Sequence, residues 1–152
     1  MAVLNDFKLL NIKSESYFNL LQNESNRIIN LPTENHKARF GFYLFMLEQL
    51  TNVKDISDIT NMIIDKEFLT NVFGEKDEDF GVDAVFIDND NKIINLFNFK
   101  YRNDFKIGQK QKLNETFLSI KFVNALISEN TSGLSGKTKQ KAEDIIECLK
   151  SK

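Results

Sequence analysis

Phe80-Gly81-Val82-Asp83-Ala84-Val85-Phe86-Ile87-Asp88 and Ile93-Ile94-Asn95-Leu96-Phe97-Asn98-Phe99-Lys100-Tyr101-Arg102 are two runs of β-branched and aromatic residues. Between them lies the Asn/Asp-rich segment Asp88-Asn89-Asp90-Asn91-Lys92, and the pattern predicts a β-hairpin. Strand side chains alternate faces, so Asn98 and Lys100 are expected to point the same way. An even turn, pairing 87 with 92 or 83 with 98, puts Asp83 on that face too. An odd turn without a bulge puts it on the other. The even register therefore gathers a carboxylate, an amide and an ammonium on one face of an otherwise apolar hairpin. Buried polar groups are costly unless paired or bound to something, so the arrangement reads either as a site or as an Asp–Lys ion pair at a sheet edge.

Asp83, a turn, and then Asn98-Phe99-Lys100 resemble the core of the PD-(D/E)XK nuclease superfamily. The text Asp79-Phe80-Gly81-Val82-Asp83-Ala84 … Phe97-Asn98-Phe99-Lys100-Tyr101-Arg102 is similar to the abortive phage infection (AIPR) branch of it. The likeness covers roughly residues 40 to 125. Phe80 stands where that branch has a small residue, and Asn98 where the superfamily has Glu, Asp or Gln. The resemblance implies an α/β (α+β) fold with a restriction-endonuclease-like mixed sheet, its central hairpin flanked by helices. It also implies a Mg²⁺- or Mn²⁺-dependent nuclease acting on DNA in defence against phage. Asp83, Asn98 and Lys100 would be catalytic. Asp83, Glu48 and the backbone carbonyl of Phe99 would hold the metal, with Glu48 supplied by the preceding helix. Arg102, Lys110, Gln111 and Lys112 would meet the nucleic acid. The alternative is a catalytically degenerate domain of the same fold that binds nucleic acid or a protein partner.

At 152 residues the chain is expected to form one domain, either complete or the N-terminal part of a longer protein. Cys148 is the only cysteine and His36 the only histidine, which excludes an internal disulfide, a cysteine cluster and a histidine-based metal cluster. One thiol and no signal peptide fit a reducing cytoplasm, and no apolar run approaches a membrane span. The net charge of −2 is ordinary, but its distribution is not. Residues 75–90 hold Glu75, Asp77, Glu78, Asp79, Asp83, Asp88 and Asp90 against Lys76 alone. From 98 to 141 basic residues predominate. An acidic knot beside a basic half suits a cation next to a phosphate-binding surface.

Apolar spacing predicts a helix from Ser14 to Asn30, capped by Ser14 or Ser16, after a mixed stretch at 1–13. A second helix is expected from Glu34 to Asn52 behind Thr33, with Glu48 on the margin of its apolar stripe. A third, opened by Asp55, runs to about Ile64, and Glu67 to Phe73 reads as a helical turn or a strand ended by Gly74. A long helix is expected over Gln109–Ser128, with Ile120 and Ile127 inward. After a Ser/Gly/Asn linker, an amphipathic helix spans Lys137–Lys152 on Ile145, Ile146 and Leu149. That last helix could serve a homodimer. Ser132-Gly133-Leu134-Ser135-Gly136-Lys137-Thr138 matches only the end of a Walker motif: Thr131 stands where the first glycine belongs.

Overall fold

A computed structural model describes residues 3–26, 28–105 and 119–151. The order is α1 (Leu4–Glu24), α2 (Glu34–Thr51), α3 (Ile56–Met62), α4 (Lys66–Phe73), β1 (Ala84–Asp88), β2 (Ile93–Phe97), α5 (Ser119–Ile127) and α6 (Gly136–Lys150). The class is α+β. The mixed sheet expected from the sequence is not what these residues form: among them the sheet is a two-stranded antiparallel hairpin, with one isolated bridge from Ile63 to Ala84. The described chain divides into two compact units, residues 3–61 with 99–105 and residues 62–98 with 119–151.

In the first unit α1 packs on α2. Tyr17, Phe18 and Leu21 of α1 are buried, as are Phe40, Tyr43, Leu44 and Leu47 of α2. The axes come close where Gly41 meets the Ser14 carbonyl; a Cβ on Gly41 would lie 1.8 Å from that oxygen. α1 starts ten residues earlier than its serines suggest. Asp6 Oδ2 takes the Val3 N–H at 2.9 Å and opens the helix, while Ser14 and Ser16 turn their hydroxyls back onto the carbonyls of Leu10 and Lys13. That local bond lets a cap-like residue sit inside a helix. The helix ends at Glu24 rather than Asn30, with Asn26 left-handed at φ 47°. Thr33 does precede α2, in extended conformation, but its hydroxyl pairs with Nδ1 of His36 at 2.7 Å rather than with a backbone amide. The His36 ring packs 5.6 Å from Phe40.

In the second unit α4 resolves the ambiguity at 66–73 as a helix. Asp65 caps it, accepting the Phe68 N–H at 2.6 Å, and Gly74 closes it at φ 76°. The hairpin pairs Asp88 with Ile93 and Ala84 with Phe97, so the turn holds four residues and the register is the even one of 83 with 98. Asp88 builds that turn, accepting N–H groups of Asp90 and Asn91 on Oδ1 and the Asn91 amide on Oδ2. The ladder ends at Phe97, however. Phe97, opposite Ala84, also accepts the Asp83 N–H at 2.8 Å, the two-against-one arrangement of a bulge.

The core of this unit joins Ile64, Val82 and Val85 to Phe122, Leu134, Ala142 and Ile145. On α5 it is Phe122 that is buried; Ile120 and Ile127, expected inward, are exposed. The part of that helix expected before Ser119 lies outside the described residues. On α6 the inward stripe is Thr138, Ala142, Ile145 and Cys148, and Leu149 is exposed.

Candidate metal centre

Asp65, Asp79 and Asp83 each place a carboxylate oxygen within 4.8 Å of the other two. Asp65 and Asp83 are buried and Asp79 half-buried. Local chemistry brings them together. Asp65 is held at the start of α4 by its capping bond. The Asp83 carbonyl accepts the N–H groups of Ile64 and Asp65 at 2.9 and 3.0 Å, which ties the entry to β1 against the same helix start. Asp79 closes the third side: Oδ2 accepts the Lys66 N–H at 2.9 Å and Oδ1 the Gly81 N–H at 2.8 Å.

The amides of Lys66 and Phe68 and the positive end of α4 offset part of this negative charge. When ionised, the three carboxylates can only accept hydrogen bonds, and a pair at about 4.8 Å repels by about 3.5 kcal/mol at an effective dielectric near 20. A hard divalent cation with oxygen ligands relieves that repulsion. The donor set fits Mg²⁺, Mn²⁺ or Ca²⁺ and, having no nitrogen or sulfur, suits Zn²⁺ poorly.

Of the residues singled out in the sequence, Asp83 lies in this cluster. Asn98 lies in the same unit, one residue past the end of β2, and donates from Nδ2 to the Gly81 carbonyl at 2.6 Å. Phe99, Lys100 and Arg102 belong to the first unit, on the loop after β2. The strand alternation that would align Asn98 with Lys100 therefore does not apply, and the bulge removes it at Asp83 as well. The Phe99 ring packs 5.2 Å from Tyr43 and 6.1 Å from Phe42.

Glu48 is also in the first unit. The sequence shows no cation one helical turn away, but Lys54, just beyond the helix, reaches Oε1 at 2.9 Å. The Tyr17 hydroxyl and then Lys54 hold the Glu48 carboxyl below its ordinary range. The same carboxylate and, above all, burial push Tyr17 up to about 12. Lys110, Gln111 and Lys112 lie outside the described residues.

Sequence reasoning missed Asp65 and Asp79 as partners of Asp83. Two signals were present. Asp79 precedes Asp83 by four residues inside the acidic knot, and Asp65 is a capping residue directly before Lys66-Glu67-Phe68-Leu69. No protein-family model matches the chain, and neither the curated proteins nor the solved structures contain a match to it. No described helix is long and apolar enough to cross a membrane.

Proposed function

We propose that this chain is a divalent-cation-dependent nuclease whose ion is held by Asp83 together with Asp65 and Asp79. The observation that carries the reading is the convergence of three carboxylates on Asp83, the acid that the PD-(D/E)XK resemblance singles out. Mg²⁺ is the ion that the resemblance implies, and Mn²⁺ accepts the same oxygen donors. A cation there would acidify a bound water and neutralise phosphate charge. Asp83, gripped through its backbone on both sides, fixes where negative charge is presented. Asp79 and Asp65 complete the oxygen set. The resemblance gives Lys100 and Arg102, which belong to the first unit, phosphate-binding roles. DNA as substrate and a role in defence against phage rest on the resemblance alone.

Labelled DNA incubated with Mg²⁺ or Mn²⁺ tests this. Cleavage is expected, with loss in EDTA and in both Asp83→Ala and Lys100→Ala. No cleavage with either ion, or full cleavage by Asp83→Ala, overturns it.

One contact favours a second reading, in which the fold is kept and the chemistry lost. Asn98 stands where the superfamily of the resemblance has Glu, Asp or Gln, and it donates its amide to the Gly81 carbonyl. A carboxylate at 98 could not make that bond. If wild type is inert and Asn98→Glu cleaves DNA, the degenerate reading is the correct one.

A further inference from the structure

Residues 99–105 of the first unit carry rings that meet rings of α1 and α2. Tyr101 lies 5.6 Å from Phe42, its hydroxyl donating to Asn11 at 2.8 Å, and Phe105 lies 6.1 Å from Phe7. These four rings do not close up completely. Between them is an open cavity of about 200 Å³, and Lys100 and Arg102 form part of its wall. Among the described residues, Asp104 is the only carboxylate in the lining.

Two cations against one acid, interleaved with aromatic rings, is the combination that binds single-stranded nucleic acid: rings stack on bases while cations follow the phosphates. The size narrows the occupant. Drug-sized ligands fill pockets of roughly 300–1,000 Å³, so this cavity suits one planar ring system. In a duplex each base is stacked and paired, and extruding it costs a few kcal/mol; in a single strand the base is already available.

We propose that this pocket receives one unpaired base of single-stranded nucleic acid, with the neighbouring phosphates held by Lys100 and Arg102. The proposal rests on the nuclease reading above and names the form of its substrate.

The test is fluorescence anisotropy in EDTA, so that neither cation binding nor cleavage enters. The probe is a labelled thymidine strand longer than about 16 nucleotides, the upper site size of a single-strand-binding fold, alone or annealed to its complement. The single strand is expected to bind at least tenfold more tightly than the duplex. Phe42→Leu keeps apolar bulk but loses the flat face, and should weaken single-strand binding roughly tenfold while sparing the duplex; Phe42→Tyr should restore it. Lys100→Gln and Arg102→Gln should each lower the salt slope by about 0.7, the single-strand value per phosphate contact. These two also decide the matter should Phe42→Leu fail to fold. Equal binding of strand and duplex, an unchanged Phe42→Leu, or free thymidine monophosphate competing as well per nucleotide as the strand would each overturn the proposal. Because the assay contains no divalent ion, a protein that binds the strand yet never cleaves condemns the nuclease reading and leaves this pocket standing.

Discussion

The backbone N–H of Lys137 donates to Oδ2 of Asp77 at 3.0 Å, across sixty residues of chain. Ser135 holds the N-cap position of α6 but makes no side-chain bond there, so the cap comes from the acidic loop. The fit is close: a Cβ on Gly136 would lie 1.8 Å from that same oxygen, and Gly136 has φ 51°. Losing a capping side chain costs about 1 kcal/mol, so Asp77→Ala should lower unfolding stability by about that much. Gly136→Ala adds left-handed strain and a clash, and should cost about 2–3 kcal/mol. The double variant should cost less than the two together, because Asp77→Ala removes the group that the new methyl strikes. Urea unfolding of the four proteins checks this; strict additivity means that Asp77 does not occupy the start of α6.

A second prediction concerns the packing of α1 on α2. A methyl on Gly41 would sit 1.8 and 2.6 Å from the Ser14 carbonyl oxygen and carbon, and both are backbone atoms of a helix. Backbone cannot rotate aside as a side chain can, so Gly41→Ala must separate the helices. A loss of about 3 kcal/mol is expected, the upper end of ordinary overpacking. Gly74→Ala supplies the comparison, since nothing lies within 4 Å of its methyl position and only the backbone strain at φ 76° is felt. If thermal unfolding finds Gly41→Ala the milder of the two, the close approach of the helices is wrong.

What could be read from the sequence follows from how local each signal is. Thr33 before α2, Asp55 before α3 and Gly74 after α4 act within a few residues, and all three boundaries fall where those residues put them. The even hairpin turn was legible for the same reason: Asp88 bonds amides only two and three residues on. β2 was expected to run on to Arg102 because Phe97, Phe99 and Tyr101 alternate as strand residues do. Phe99 and Tyr101 instead pack on Phe42 and Tyr43 of α2, a tertiary contact that local alternation cannot report. The acidic cluster was half legible. Asp83 and the knot around Asp79 stood out, but Asp65 joins them only because the Asp83 carbonyl bonds the amides at the start of α4.

The alkaline limb of stability should carry two opposed features. Lys137 is half-buried, its ammonium 5.6 Å from the Phe73 ring centre. Burial, opposed by Glu75 and reinforced by Lys141, pulls it down from 10.5 to about 8. The unfolded chain therefore binds more protons than the folded one between about 8 and 10.5, and stability should rise with pH across that window. Tyr17 acts later and in the other direction. Its folded value is about 12 against 10.0, so the stability it confers is present below 10 and lost as pH climbs toward 12. Urea midpoints between these limits should pass through a maximum. Lys137→Met should flatten the rise and Tyr17→Phe the fall; a wild-type profile falling steadily from pH 8 contradicts the assignment of Lys137.

The carboxylate cluster makes the last prediction, and its strength is a change of sign. Without an ion, Asp65, Asp79 and Asp83 repel one another within 4.8 Å. Replacing Asp83 with Asn keeps the shape, removes two of the three repulsions and should leave stability in EDTA equal to wild type or higher. With Mn²⁺ the order should reverse. Wild type gains RT ln(1 + [L]/Kd), about 2.7 kcal/mol at a hundredfold excess over Kd, whereas Asp83→Asn gains little. Asp65→Asn is a poorer probe, because it also weakens the bond to the Phe68 amide that starts α4. If the three aspartates serve only as turn and cap groups, Mn²⁺ will not move the wild-type melting temperature and Asp83→Asn will behave alike with and without the ion. Melting curves of the two proteins in EDTA and in Mn²⁺ separate these cases, because only a bound cation reverses their order.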